Sequence, residues 1–258
     1  MMNPLYVLHA EVFGCNYDIL VNGIVVRCQR KNLPCNVEIF VNQFLINGPN
    51  LITLKMRPVD VAETLLDISG AHLELTRQDP GQEPVSLARI DVEEGSVTEE
   101  PNASARETFN ILTPLSEAIW SDNDVIAVTN DDLIRRVFEY AQSFRTLFLN
   151  GDTDGIVNMC QLRSDYIDRR YGLEPGDRSA VLRNSVDGVF NDEKYWMLNT
   201  LTGSPGGITP VIHAAGKLVS FETLPSRYAL VLFGHEDNKT AEYPAMFGVK
   251  DDVVQLQL

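Results

Sequence analysis

The sequence predicts an α+β protein in two parts: an all-β antiparallel sandwich over residues 1–115, and helices packed on a curved antiparallel sheet over 130–258, with 116–129 as connector. Up to residue 115, short runs of β-branched and aromatic residues recur between Gly, Pro and Asn turns, and no helical period intervenes. From Asp131 to Tyr171 the apolar residues switch to the helical period. After Ser204-Pro205-Gly206-Gly207 the chain reads as strands again.

Leu5 to Val12 is the first strand. Tyr17 to Cys28 reads as a hairpin about Asn22-Gly23, because a type I′ turn needs positive φ at both central residues and Asn-Gly tolerates it best. Asn36 to Val41 alternates, and Asn47-Gly48-Pro49-Asn50 reads as a turn into a strand over Leu51 to Met56. His72 to Arg77 and Ser86 to Val92 follow, separated by Asp79-Pro80-Gly81. Glu93 to Ala105 is acidic and rich in breakers and reads as a long exposed loop, and Arg106 to Leu112 as a last strand. Leu115 to Ile119 suits a short helix in the connector, and Trp120 suits packing where the two parts meet.

In the second part, Leu133, Ile134, Val137, Phe138, Ala141, Phe144 and Phe148 share one helix face, with Thr129 and Asp132 as a capping box and Asn150-Gly151 as the stop. A second helix is expected from Asp154 to Tyr171 and a third over Ala180 to Phe190, capped by Asp177 or Ser179. Lys194 to Leu201 reads as its continuation. Strands are expected at Pro210 to Ala215, Lys217 to Leu224, Arg227 to Gly234, Tyr243 to Val249 and Val253 to Leu258.

The 258 residues carry a formal charge of -15, which repels polyanions, and Arg27 to Lys31 and Arg169-Arg170 are too short to override that field. Nucleic acid is therefore not an expected partner. No apolar run approaches the length of a membrane helix, and Met1 to Ala10 lacks the pattern of a signal peptide, so a cytoplasmic protein is expected. The four cysteines, Cys15, Cys28, Cys35 and Cys160, lack the spacing of a zinc or redox site and read as reduced, buried small hydrophobes.

Val21 to Val26 (VNGIVV) followed by Val41 to Met56 (VNQFLINGPNLITLKM) resembles a pattern of galactose-binding-like jelly-roll modules, in which a Gly-x-Asn turn launches a long strand. The resemblance implies a β-sandwich, and carbohydrate as a candidate ligand; the half up to Pro114 contains no tryptophan to serve as a stacking platform. Residues 130–258, with Leu149-Asn150-Gly151-Asp152 between helices and the terminal FGVKDDVVQL, resemble the nuclear-transport-factor-2-like α+β cone. Taken together they suggest a two-domain protein of bacterial type. Such cones host isomerases, dehydratases and plain binding domains, and often dimerise through their sheets, so a homodimer is implied.

A cone encloses a cavity between helices and sheet. Candidates to line it are Asp165, Tyr166, Asp168, Asp187, Tyr195, Trp196, His213, Tyr228 and His235. In that superfamily a carboxylate or His-Asp pair removes a proton beside a carbonyl, which makes His213, Asp165 and Asp187 the candidate bases. Tyr166, Tyr195, Trp196, Tyr228 and His213 are the candidate binding residues. Each has a plainer reading: His213 as a core histidine, His235 as a solvated turn residue, Asp165 as half of a surface pair with Arg169. HExxH, GxSxG, Walker and GxGxxG motifs do not occur, and no metal or cofactor is expected.

Three functions fit these features: a non-catalytic binding protein, such as an immunity or accessory protein for a secreted toxin; a cone-type small-molecule enzyme with a His or Asp base; and a carbohydrate-binding protein. The charge and the missing motifs favour the first.

Overall fold

The computed structural model describes residues 3–29, 34–59, 64–97, 102–112, 115, 117–127, 129–191, 195–197, 208–223, 231–234, 240–242 and 245–258, with backbone alone for 195–197, 208, 222–223, 231–234 and 240–242. The chain divides into two compact units, Met1–Ala118 with Arg170–Gly172 and Ile119–Arg169 with Leu173–Leu258. The first is an antiparallel β region and the second combines helices with antiparallel sheet.

In the first unit the strands are β1 (Leu5–Phe13), β2 (Asn16–Val21), β3 (Ile24–Gln29), β4 (Cys35–Phe40), β5 (Gly48–Arg57), β6 (Gly70–Gln78), β7 (Val85–Val92) and β8 (Ala103–Ile111). They pair in the orders β4-β1-β6-β7 and β3-β2-β5-β8. Alternation along β1 buries Tyr6, Leu8, Ala10 and Val12, which join Ile19 and Leu54 of the other sheet in one core. Each such Leu or Ile stabilises the fold by about 2 kcal/mol. The expected hairpin forms with Val21 opposite Ile24, and Asn22 and Gly23 have φ of 52° and 76°.

The segment that resembled a jelly-roll pattern is a network of side-chain amides. Asn50, 2% exposed, donates to the Ile46 and Gly48 carbonyls, each at 2.8 Å, and accepts from the Ile46 N–H and from Asn22 Nδ2, also at 2.8 Å. Asn22 Nδ2 also donates to the Phe44 carbonyl at 2.9 Å, while its Oδ1 accepts from the Leu51 N–H at 3.0 Å. Asn42 bonds the Tyr6 N–H and the Pro4 carbonyl, and Asn47 bonds both backbone groups of Leu115. These amides supply the partners that an irregular crossing segment cannot find in a ladder.

Two strand starts in this unit depart from the sequence reading by three residues. β5 begins at Gly48, inside the expected turn, because Gly48 pairs with Ile111. β8 begins at Ala103, inside the expected loop, because Ala103, Ser104 and Ala105 pair with Met56, Lys55 and Leu54. The helix expected over Leu115 to Ile119 does not form at its described residues, 115 and 117–119; residue 116 lies outside the described residues.

In the second unit the elements are α1 (Asp131–Leu149), α2 (Thr153–Met159), α3 (Gln161–Tyr171), α4 (Asp177–Phe190), β9 (Tyr195–Met197), β10 (Ile208–His213), β11 (Leu218–Thr223), β12 (Val231–Gly234), β13 (Thr240–Glu242), β14 (Phe247–Lys250) and β15 (Val253–Leu256). α1 buries Val137, Phe138, Ala141, Phe144 and Phe148 of the face read from the sequence, while Leu133 and Ile134 are half-buried. Phe138 meets Phe221 of β11 edge-to-face at 5.3 Å, and Tyr140 meets Phe247 of β14 at 5.9 Å. Arg136 holds the two-residue β14–β15 turn, donating to the Asp252 carboxylate and carbonyl, each at 2.6 Å. Asn123 and Gln257 exchange amide bonds of 2.7 and 2.9 Å over Gly248, where a Cβ would collide with the Asn123 amide.

Several expectations change here, four of them in the course of the chain. Asn130, not Thr129, caps α1, accepting from the Leu133 N–H at 3.1 Å. The long second helix is two: Cys160, with ψ of 0°, ends α2, and its carbonyl opens α3 by accepting from the Ser164 N–H. Tyr195–Met197 is a strand paired with β12 rather than a helical continuation. The late strands form two sheets, β10-β11-β14-β15 and β13-β12-β9, instead of one.

Asn50→Ala leaves three half-buried backbone groups without the partner they have here and should cost about 2–3 kcal/mol in urea unfolding; an unchanged midpoint would mean that those groups find other partners.

Candidate functional site

The three candidate bases have separate structural neighbours. His213 closes β10 rather than lying mid-strand, is 2% exposed, and its Nε2 lies 2.8 Å from Ser220 Oγ on β11. In the β10–β11 register Val211 faces Ser220 and His213 faces Leu218, while Ile212 faces Val219. Ile212, Val219 and Phe221 belong to the core that α1 packs into. Alternation therefore puts His213 and Ser220 on the opposite face of the sheet, away from α1. A helix-side cavity with His213 at its floor is not the arrangement this register builds.

Asp187 of α4 is half-buried and accepts from Thr153 Oγ1 at 2.6 Å, bracing α2 against α4. Asp165 accepts from Gln161 Nε2, one turn earlier in α3, at 2.5 Å. Asp168 is 3% exposed and accepts from the Gly176 and Arg178 N–H groups, both at 2.9 Å. It caps α4 from a distance, supplying the anion that the first turn prefers, where the sequence had offered Asp177 or Ser179. Tyr166 is buried in α3, Tyr195 and Trp196 lie in β9, and Tyr228 and His235 lie outside the described residues. Trp120 is buried and offers no exposed platform. Cys15, Cys35 and Cys160 are buried as expected, whereas Cys28 is only half-buried.

The sequence reading missed the outward face of sheet β4-β1-β6-β7. Pairing aligns Glu38, His9, Glu74 and Arg89 in one row across the four strands, and Asn36, Glu11, His72 and Asp91 in the next. His9 Nδ1 lies 3.4 Å from Glu38, and His72 Nδ1 lies 2.6 Å from Asp91. Arg89, then His72, hold the Asp91 carboxyl below the usual carboxylate range. Phe40 stands on the same face and is 50% exposed. The face is thus acidic with an exposed aromatic beside it. The alternation HAEVF in β1 hinted at one row of polar side chains, but only register brings the four strands' charges together.

Among the described residues, no group of His, Cys, Asp and Glu side chains is placed to hold a metal, and no helix is long and apolar enough to cross a membrane.

Asp168→Ala should lower stability by about 1–2 kcal/mol, read as an earlier loss of helical circular dichroism in urea; no loss would remove its capping role. Burial pushes the Cys15 and Cys160 thiols from 9.0 up to about 11. Because the unfolded chain ionises first, their contribution is complete below pH 9.0 and is lost as pH rises through about 11. The urea midpoint should fall over that window, and the Cys15→Ala/Cys160→Ala protein should show a smaller fall; an equal fall would assign the effect to other groups.

Comparison of the chain with protein-family models, curated proteins and solved structures finds no match.

Proposed function

We propose that the chain is a non-catalytic interaction protein that binds a basic protein partner, as an immunity or accessory protein binds a cationic secreted toxin. The observation that carries this reading is the face of β4-β1-β6-β7, where Glu11, Glu38, Glu74 and Asp91 stand in register beside exposed Phe40. Complementary charge steers a basic partner and sets register, and a desolvated aromatic supplies the anchor. The net charge of -15 extends the attraction beyond the face itself. The engagement of Asp168, Asp187 and His213 in bonds within the fold favours binding over acid–base chemistry.

In the same reading the first unit is a sandwich of the galactose-binding-like kind, supported by the core its two sheets share, and the second a cone-like scaffold, supported by the packing of α1 on β11 and β14. Both serve as frames for surfaces.

Tagged protein should capture a basic protein from a lysate of the source organism and release it at raised salt. The Glu11→Lys/Glu38→Lys/Glu74→Lys protein, folded by circular dichroism, should bind that partner about tenfold more weakly or worse. Equal binding by the variant, or a captured partner without basic character, would overturn the reading.

A further inference from the structure

Three Asn-Gly pairs occur in the chain: Asn22-Gly23, Asn47-Gly48 and Asn150-Gly151. The peptide after such an asparagine is the least hindered towards attack on the side-chain amide, since glycine has no Cβ to shield its nitrogen. The fold treats the three differently. The Asn22 carboxamide has bonds to Phe44, Asn50 and Leu51, and its backbone is held at φ of 52° in the hairpin. The Asn47 carboxamide is clamped by both backbone groups of Leu115, at 3.0 and 2.7 Å, and Gly48 sits in the β5 ladder opposite Ile111. Asn150 is exposed at the end of α1, and its carboxamide has no bond among the described residues. The Gly151 nitrogen is held only by a 3.2 Å bond to the Phe148 carbonyl, in the last turn of a helix, where fraying is easiest.

We propose that Asn150 is a site of spontaneous deamidation, and that its conversion loosens the junction between α1 and α2. In the first step the Gly151 backbone nitrogen loses its proton and attacks Asn150 Cγ. An N–C bond forms, a cyclic imide closes, and the carboxamide nitrogen leaves as ammonia. Water then adds to either imide carbonyl and reopens the ring, giving aspartate, or isoaspartate when the main chain is rerouted through the side-chain carbon.

Either product puts a carboxylate at the negative end of the α1 dipole, and α1 has no basic residue in its last turn to offset it. Asp152 and Asp154 already stand just beyond. Isoaspartate also lengthens the main chain where the Asp152 N–H reaches the Leu147 carbonyl at 2.9 Å and the Asp152 carboxylate caps α2. That junction connects the buried anchors Phe148 and Ile156.

The test incubates the intact protein at mildly alkaline pH, with and without urea, and follows each Asn-Gly peptide by mass spectrometry. In the folded protein Asn150 should convert about tenfold faster than Asn22 or Asn47, and urea should bring the three rates together. Amide exchange at Gly151 to Ile156 should quicken in the converted fraction, and Asn150→Gln should abolish both changes. Folded-state conversion at Asn22 or Asn47 as fast as at Asn150 would overturn the proposal. So would an inert Asn150 in folded protein whose urea-treated chain reacts there.

Discussion

A polar group removed from water must find a partner inside the protein, and in this chain side-chain amides meet much of that demand. In the first unit Asn22 and Asn50 bond backbone groups of the segment that crosses from β4 to β5, and from within that segment Asn42 bonds Tyr6 and Pro4 and Asn47 bonds Leu115. In the second unit Asn123 and Gln257 pair over Gly248, and Asn123 also donates to the Lys217 carbonyl at 2.8 Å. A carboxamide suits this task because it both donates and accepts without carrying a charge that burial would penalise.

The same demand is met by three of the candidate site residues. Asp168 ends where α4 begins and takes two of the N–H groups that a helix start leaves over. Asp187 braces α2, and His213 meets Ser220 on the sheet face away from α1. On the outward face of β4-β1-β6-β7 the β1–β6 register sets His9 against Glu74 and Glu11 against His72. Carboxylates alternating with imidazoles across strands relieve some of the repulsion that the chain's charge would concentrate there.

Much of the architecture was legible because it rests on local rules. The Asn22-Gly23 turn, the α1 face and the β14–β15 hairpin follow from period and turn chemistry, which act within a few residues. Residues joined across long separations were not legible. Asp168 as the cap of α4, Asn47 as the clamp on Leu115 and the charge rows across four strands depend on which elements meet, and no local pattern encodes that. Tyr195–Met197 shows the limit at short range, since three residues are too few to reveal a period and pairing with β12 decides their state. Of the candidate site, the residue types were visible, but their employment in structural bonds was not.

The claim that side-chain amides close the first unit is tested most directly by amide hydrogen exchange at Tyr6, Ile46, Leu51 and Leu115, whose N–H groups bond asparagine side chains instead of a strand. The account predicts protection comparable to that of Leu54, a fully buried mid-strand residue of β5. Exchange at the rate of an open loop would show that these bonds do not hold the crossing segment in place.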